Sequence, residues 1–189
     1  MKMLLRPTSL LAFLLVLASC ENTTNKSDLK TENNNSSNGI YKLEQELKNA
    51  KGENTALPIA QKLEKELVTY ATKHKNDSLA PKYLYKAARL NETYFDNYTE
   101  AFAHYNSIAE EYANTRFAPV AMFKRGLIME TVFKKSDKAI YYLDEFMKKH
   151  PKHKLVDMAK QIITTSGVDA NDLFERIKAN TPDSATINN

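Results

Sequence analysis

The sequence repeats itself with a period of 38, and this repeat constrains the fold more than any other feature of the chain. Residues 79–115 align without a gap on residues 117–153. The identical pairs are Ala80/Ala118, Pro81/Pro119, Lys86/Lys124, Glu92/Glu130, Thr93/Thr131, Phe95/Phe133 and Ala101/Ala139. Because the register is kept across a turn, the segments are two copies of one structural unit, at about 78–115 and 116–153.

Each unit has the pattern of two amphipathic helices, which we call helix A and helix B. Pro119 predicts the first turn of a helix A, because a proline there loses no hydrogen bond. Ser136 is predicted to cap the following helix B, which ends before Pro151. In the first unit, Asn97 and Glu100 predict a capping box at the start of helix B.

Small residues fall at equivalent positions of the two units and predict close approach of neighbouring helices. These positions are Ala88 and Gly126 in helix A, and Ala101 and Ala139 in helix B. The stripe of Tyr94, Phe95, Tyr98, Phe102 and Tyr105 is interpreted as nearly all core.

Further helices are predicted on both sides of the two clear units. Residues 58–74 align with an earlier helix B, and residues 155–164 begin a further helix A. A short helix with Ile40, Leu43 and Leu47 precedes them, a last helix covers about 170–178, and the tail 180–189 is predicted to be disordered. The fold class is therefore all-α, a solenoid of helix pairs with terminal capping helices over residues 40–179.

Four residues of the second unit carry a family resemblance. Gly126, Ala139, Leu143 and Pro151 stand at the small, alanine, aliphatic and terminal proline positions of the tetratricopeptide repeat. The chain resembles that family over roughly residues 58–165, although the common period is about 34 residues. The Ala-Pro helix starts are also similar to the repeats of two envelope proteins, the lipoprotein of the outer-membrane β-barrel assembly machine and the division coordinator associated with Tol-Pal.

The N-terminus has the pattern of an export signal over residues 1–19. Lys2 and Arg6 precede the apolar run 10–18, which spans about 14 Å as a helix and is too short to cross a bilayer. The segment Leu17-Ala18-Ser19-Cys20 resembles the lipobox of bacterial lipoproteins, which implies cleavage before Cys20 and its lipidation with acyl chains such as palmitate. An ordinary secretory signal with a chance cysteine is the alternative.

The segment after Cys20 predicts a disordered tether over residues 20–39. Twelve of the nineteen residues 21–39 are Asn, Ser or Thr, and Leu29 is their one apolar side chain. Two or three acyl chains would hold Cys20 stably in a membrane. The resemblance implies a Gram-negative cell envelope, with the anchor in the outer membrane and the domain in the periplasm.

Composition and motifs exclude several classes of function. The formal net charge of +4 falls to +2 without the signal, too close to neutral for a nucleic-acid partner. The sequence has no GxSxG, HExxH or phosphate-binding loop, and the single cysteine is assigned to lipidation. We therefore predict no enzymatic activity, no cofactor and no metal.

A basic cluster at 148–154 follows the helix B of the second unit. His150 and His153 have a spacing that a metal site can use, but no carboxylate nearby completes a ligand set. The cluster is interpreted either as a solvated edge or as a weak contact with anionic lipid head groups.

The family resemblance implies that helices A line a concave groove that holds a partner. The residues mapped to its exposed inner positions are Lys82, Tyr85, Arg89, Glu92, Phe123, Leu127 and Glu130. The alternative for Tyr85 and Phe123 is that they pack only between helices.

The sequence thus predicts a lipid-anchored, non-enzymatic scaffold that binds an envelope protein or peptide segment. Outer-membrane assembly and envelope maintenance are the roles that the resemblance implies. A self-associating structural lipoprotein of the envelope is the alternative.

Overall fold

The computed structural model describes residues 26–167, and within this range its regular secondary structure consists of α-helices joined by short turns. Its seven helices are α1 (Lys26–Asn49), α2 (Glu53–Lys73), α3 (Ala80–Tyr94), α4 (Tyr98–Glu111), α5 (Ala118–Thr131), α6 (Ser136–Lys149) and α7 (Val156–Thr165). Each helix packs on the ones before and after it in the chain. This confirms the all-α fold of stacked helix pairs.

The helix starts reproduce the period of the sequence. Helices α3 and α5 begin at Ala80 and Ala118, and helices α4 and α6 begin at Tyr98 and Ser136, so each pair is one period apart. Helix α7 begins at Val156, again one period after α5. Helices α3, α5 and α7 are therefore equivalent helices A, and α4 and α6 are equivalent helices B.

The turn after each helix B repeats bond for bond. After α2, the backbone N–H groups of His74, Asp77 and Ala80 donate to Tyr70, His74 and Asp77 at 2.9, 2.9 and 3.0 Å. The same three bonds recur one period later, from Tyr112 to Ala118, and again from His150 to Val156. Helix α2 therefore ends an earlier unit of the same kind, as the alignment of residues 58–74 predicts.

The turn from helix A to helix B is also shared by the two clear units. Asp96 and Lys134 hold positive φ angles of 48° and 53°. The next backbone N–H donates six residues back in each unit, from Asn97 to Asn91 at 3.0 Å and from Lys135 to Met129 at 2.9 Å. The left-handed residue turns the chain, and the bond fixes where helix B begins.

Of the two predicted caps, the capping box is confirmed only for its Asn97 half, and the Ser136 cap is wrong. The Asn97 side chain accepts from the backbone N–H of Glu100 at 3.2 Å, although Asn97 itself donates its backbone N–H to Asn91. In the second unit the N-cap is Lys135, which makes no side-chain cap bond, and Ser136 is the first residue of α6. The bond from Lys135 to Met129 sets this boundary one residue earlier than the side-chain pattern suggests.

Helix α1 corrects the prediction of a disordered tether for residues 26–39. It begins at Lys26, and its C-terminal half buries Ile40 and Leu43 against α2 and α3. Once that half is packed, each further residue upstream adds one hydrogen bond, and no proline interrupts the segment. The predicted signal at 1–19, Cys20, the last helix at 170–178 and the tail at 180–189 lie outside the described residues.

The core is divided into clusters that follow one another along the stack. The first joins α1, α2 and α3, the second joins α2 to α5, and the third joins α4 to α7. None of the helices between residues 26 and 167 is both long enough and apolar enough to cross a membrane.

Gly126 marks the closest approach between α5 and α6. A Cβ built on it would lie 2.5 Å from Cγ of Leu143 and 3.3 Å from the backbone oxygen of Ala139. The small residue predicted at this position is thus required by the packing of helix A against helix B.

Replacing Gly126 by alanine is expected to lower the free energy of unfolding by about 1–3 kcal/mol, because Leu143 must move out of a packed core. Gly39→Ala is the matched control, since nothing lies within 4 Å of a Cβ there. It is expected to raise the same quantity by about 0.5–1 kcal/mol through backbone entropy. Urea denaturation followed by circular dichroism measures the free energy of unfolding of both variants. Equal effects would contradict the close contact of Gly126 with Leu143.

Candidate functional site

Ion pairs connect successive helices A along one face of the stack, which we call the A face. Lys86 on α3 pairs with Glu44 on α1, and Lys124 on α5 pairs with Glu92 on α3 at 3.0 Å. The identical pair Lys86/Lys124 of the repeat therefore makes the same kind of contact in both units, an ion pair with a glutamate on an earlier helix. This lysine was not among the predicted groove residues, although its repetition in the sequence was a signal for it.

The series of ion pairs ends at Glu130, which is the equivalent of Glu92. The next lysine position, one period after Lys124, is Ile162 on α7. Among the described residues, the buried Oε2 of Glu130 has no hydrogen-bond partner. Glu130 is thus the predicted groove residue with a buried carboxylate oxygen that makes no hydrogen bond to any described residue.

The Glu92 carboxylate contacts side chains from three helices, α3, α4 and α5. Its Oε2 lies 3.7 Å from Nε of Arg89 and accepts from the Tyr105 hydroxyl on α4 at 3.1 Å. Burial and the Glu92 carboxylate raise the pKa of Tyr105 far above its ordinary value, so the hydroxyl stays a donor. Only 13% of the Glu92 side chain is exposed, so its carboxylate fixes the neighbouring side chains and is little available to a partner.

A depression of about 460 Å³ opens beside this cluster, where α3, α4 and α5 meet. Leu127, Ile128 and Val132 give it an apolar floor, and Glu92 and Lys124 give it a charged edge. Its remaining lining residues are Tyr98 and Thr131. An apolar recess with a few charged groups at its edge has the general form of a ligand-binding depression.

Arg89 is the predicted groove residue most available to a partner. Its side chain is 54% exposed, and hydrogen bonding with Tyr85 raises its pKa above the ordinary value. Tyr85 is half-buried, with its ring centroid 5.9 Å from that of Tyr105 and 5.8 Å from that of Phe117. Lys82 is also half-buried, with its Nζ 6.0 Å from the centroid of the Tyr83 ring.

Of the two expectations for Phe123, exposure in the groove is wrong and packing between helices is confirmed. Its side chain is 3% exposed and packs edge-on against Phe146 of α6, with ring centroids 5.8 Å apart. Helix α5 is enclosed by α4 and α6, so only a narrow strip of it borders the depression. That strip carries Lys124, Leu127, Ile128 and Thr131, which follow the i, i+3, i+4, i+7 spacing of one helix face.

The aromatic stripe from Tyr94 to Tyr105 is less buried than predicted. Tyr105 lies fully in the core, whereas Tyr94, Phe95, Tyr98 and Phe102 are half-buried at the edges of the core clusters. These rings border the turn between helices A and B, where the chain leaves the core.

Arg125 is a buried cation that the sequence analysis missed. It is 1% exposed, and its Nη1 donates to Asn106 and Glu110 of α4, both at 2.8 Å. Its Nη2 donates to Glu145 of α6 at 3.1 Å, and the guanidinium lies 4.7 Å from the centroid of the Tyr142 ring. Arg125 therefore joins two successive helices B through the helix A between them.

The basic cluster at 148–154 is partly structural. The rings of His150 and His153 pack against Phe146 at centroid distances of 6.2 and 5.6 Å, and burial lowers the pKa of His150. Nδ1 of His153 accepts from the backbone N–H of Leu155 at 3.3 Å. The lysines at 148, 149, 152 and 154 are exposed, with Lys149 paired to Glu145 at 2.8 Å.

Comparison with known proteins identifies the second unit. Residues 120–153 match the family model of the tetratricopeptide repeat. This repeat is typically a non-enzymatic module that binds other proteins, so its presence favours a protein-interaction scaffold. No curated protein and no solved structure matches the chain significantly.

Arg125→Met is expected to lower the free energy of unfolding by about 2–4 kcal/mol. Three hydrogen bonds are lost, two of them to carboxylates, while solvent access to Glu110 and Glu145 limits the cost. The control is Arg89→Met, which changes an exposed arginine on α3, with an expected change below about 0.5 kcal/mol. Denaturant midpoints and slopes for the two variants decide whether the buried guanidinium stabilises the stack.

Proposed function

We propose that the chain is a lipid-anchored scaffold of the bacterial cell envelope that holds a partner protein or peptide on the A face. The observation that carries the proposal is the tetratricopeptide unit at 120–153, whose helix A borders the depression beside Glu92. Envelope location and lipidation are supported by the signal pattern at 1–19 and by Cys20, the single cysteine at the lipobox position.

The surface favours a partner segment that combines an apolar side chain with an acidic one. Leu127 and Val132 would contact the apolar side chain in the depression. Arg89, exposed and held by Tyr85, would orient the acidic group beside it. Because the described stack has few units, a short segment or one neighbouring subunit suits it better than a long cargo.

The similarity of the Ala-Pro helix starts to two envelope systems supports a role in outer-membrane assembly or envelope maintenance. We propose an outer-membrane anchor with the domain in the periplasm. The exposed lysines of the 148–154 cluster would add a weak contact with anionic head groups.

Cys20→Ser is expected to abolish incorporation of labelled palmitate and to move the protein from the membrane fraction to the soluble fraction. The control is Ser19→Ala, which keeps a small residue before the cysteine and is expected to leave both readouts unchanged. Membrane retention of the Cys20→Ser protein without label would contradict the proposed anchor.

Arg89→Glu combined with Leu127→Ser is expected to remove specific partners from in-cell cross-linking and affinity capture, because both changes alter the A face. The matched control is Lys138→Glu with Tyr141→Ser, since both of these residues are exposed on α6, away from the depression. Phe123 is left intact, because truncating a buried ring would cost about 3–5 kcal/mol of stability.

Mass spectrometry of the captured proteins separates the outcomes. Subunits of the β-barrel assembly machine or of Tol-Pal, lost in the A-face variant and kept in the control, would support the proposed role. The same partners in both variants, with helicity intact, would overturn the A-face assignment.

Self-association is the second candidate, and Met158 favours it. This residue is 50% exposed on α7, the last described helix of the stack. Recovery of the protein alone after cross-linking, together with a mass that rises with concentration, would support stacking between copies. A chain for that measurement has to begin before Lys26 so that α1 is intact.

A further inference from the structure

A second depression, which shares no lining residue with the first, lies between α2, α3 and α4. Its volume is about 370 Å³, enough for one side chain. It is lined by Gln61, Glu64, Asn91, Phe95, Asn97 and Glu100. None of these residues was predicted as a site, and the proposed function does not use them. We call it the Glu64 pocket.

Two polar side chains in and beside the Glu64 pocket, Asn91 and His104, are buried, and the pairing of the polar groups is incomplete. Asn91 is 2% exposed and donates from Nδ2 to the Ala87 carbonyl at 3.1 Å and to Oε1 of Glu64 at 3.3 Å. The side chain of His104 is 8% exposed, with Nε2 at 3.5 Å from Glu64 Oε1 and 3.8 Å from Glu100 Oε1. Among the described residues this buried Nε2 has no hydrogen-bond partner.

The two carboxylates also lack a fixed cation. Within the described part of the chain, the ion-pair contacts of Glu64 and Glu100 are those to His104, and no lysine or arginine reaches either. The pocket therefore has room for a positively charged group.

The next unit shows that the repeat does not require this cavity. One period further on, Glu64, Glu100 and His104 are replaced by Phe102, Lys138 and Tyr142. There the ring of Phe102 packs against Tyr142 at 5.7 Å and against Phe133 at 6.4 Å, measured between centroids. Aromatic rings fill the second unit where the first leaves an acidic opening.

The same chain contains a guanidinium site of similar composition. Arg125 is bound by glutamates from two successive helices B and by an asparagine, beside the ring of Tyr142. The Glu64 pocket offers glutamates from α2 and α4, asparagines at 91 and 97, and the ring of Phe95. Its own unit has Ala87 at the position of Arg125, so no internal guanidinium is available there.

We propose that the Glu64 pocket binds the guanidinium group of an arginine side chain presented by a protein partner. A guanidinium offers a planar fork of N–H donors that matches two carboxylates, and its face stacks on an aromatic ring such as Phe95. A metal ion suits the site less well, since no group of three or more His, Cys, Asp or Glu between residues 26 and 167 is arranged to hold one.

The test uses the full-length chain in non-ionic detergent, with nitrogen-15 label read by nuclear magnetic resonance at the side-chain amide of Asn91. The probes are the Nα-acetyl amides of arginine, lysine and citrulline, and citrulline is the uncharged isostere of arginine. We expect a saturable shift with arginine, a weaker response with lysine and none with citrulline. No saturable shift with arginine, or equal binding of lysine, would overturn the proposal.

Variants locate the binding site. Glu64→Gln and Glu100→Gln are each expected to weaken arginine binding about tenfold, because each removes a charged acceptor. Glu66→Gln and Glu111→Gln are the matched controls, since both residues are exposed on the same two helices and lie outside the pocket. Equal binding in all four variants would place the arginine elsewhere and contradict the assignment.

A further variant distinguishes loss of arginine binding from loss of folding. Glu64→Phe with His104→Tyr copies two of the rings that fill the next unit and is expected to preserve helicity while abolishing the arginine response. A response to Zn²⁺ that disappears in this variant, with no response to arginine, would identify a metal site and overturn the guanidinium proposal.

Discussion

The hydrogen-bonded turn after each helix B is the constraint on which the rest of the structure depends. Its three backbone bonds recur at 74–80, 112–118 and 150–156, so every helix A starts at the same point of the unit. That register brings Lys124 to Glu92 and places Gly126 against Leu143. One additional residue in the turn would rotate the following helix by about 100° and break both contacts.

Side chains that differ between equivalent positions of the repeat determine which polar groups are left without a partner on the surface. Ile162 stands where a lysine would satisfy Glu130, and Ala87 stands where the next unit has Arg125. The backbone repeats, but the side chains at these positions do not, so one unit is closed by a buried guanidinium and aromatic rings while its neighbour has an acidic opening. A stack of identical units would offer the same surface at each step and little to distinguish one partner from another.

The sequence predicts features that are set within one turn of the chain, such as helix starts. It misses features that depend on side chains of other helices. The prolines at 81 and 119 and the period of 38 locate the helix starts, because these signals act within one turn of the chain. The exposure of Phe123 was mispredicted because α5 is apolar on most of its circumference, and its pattern does not show which strip faces outward. Arg125 and His104 contact carboxylates on other helices. The partners are too far apart in the sequence for a short motif to predict these contacts.

Helix α1 changes the physical picture of the proposed anchor. A disordered tether over 21–39 would average roughly 25 Å and leave the domain free to rotate. Helix α1 instead spans about 36 Å from Lys26, and its C-terminal half is fixed in the first core cluster by Ile40 and Leu43. Because Cys20 stands six positions before Lys26, a lipid there would act through this helix. The scaffold would then meet its partner within a restricted range of heights and orientations, and less entropy would be lost on binding.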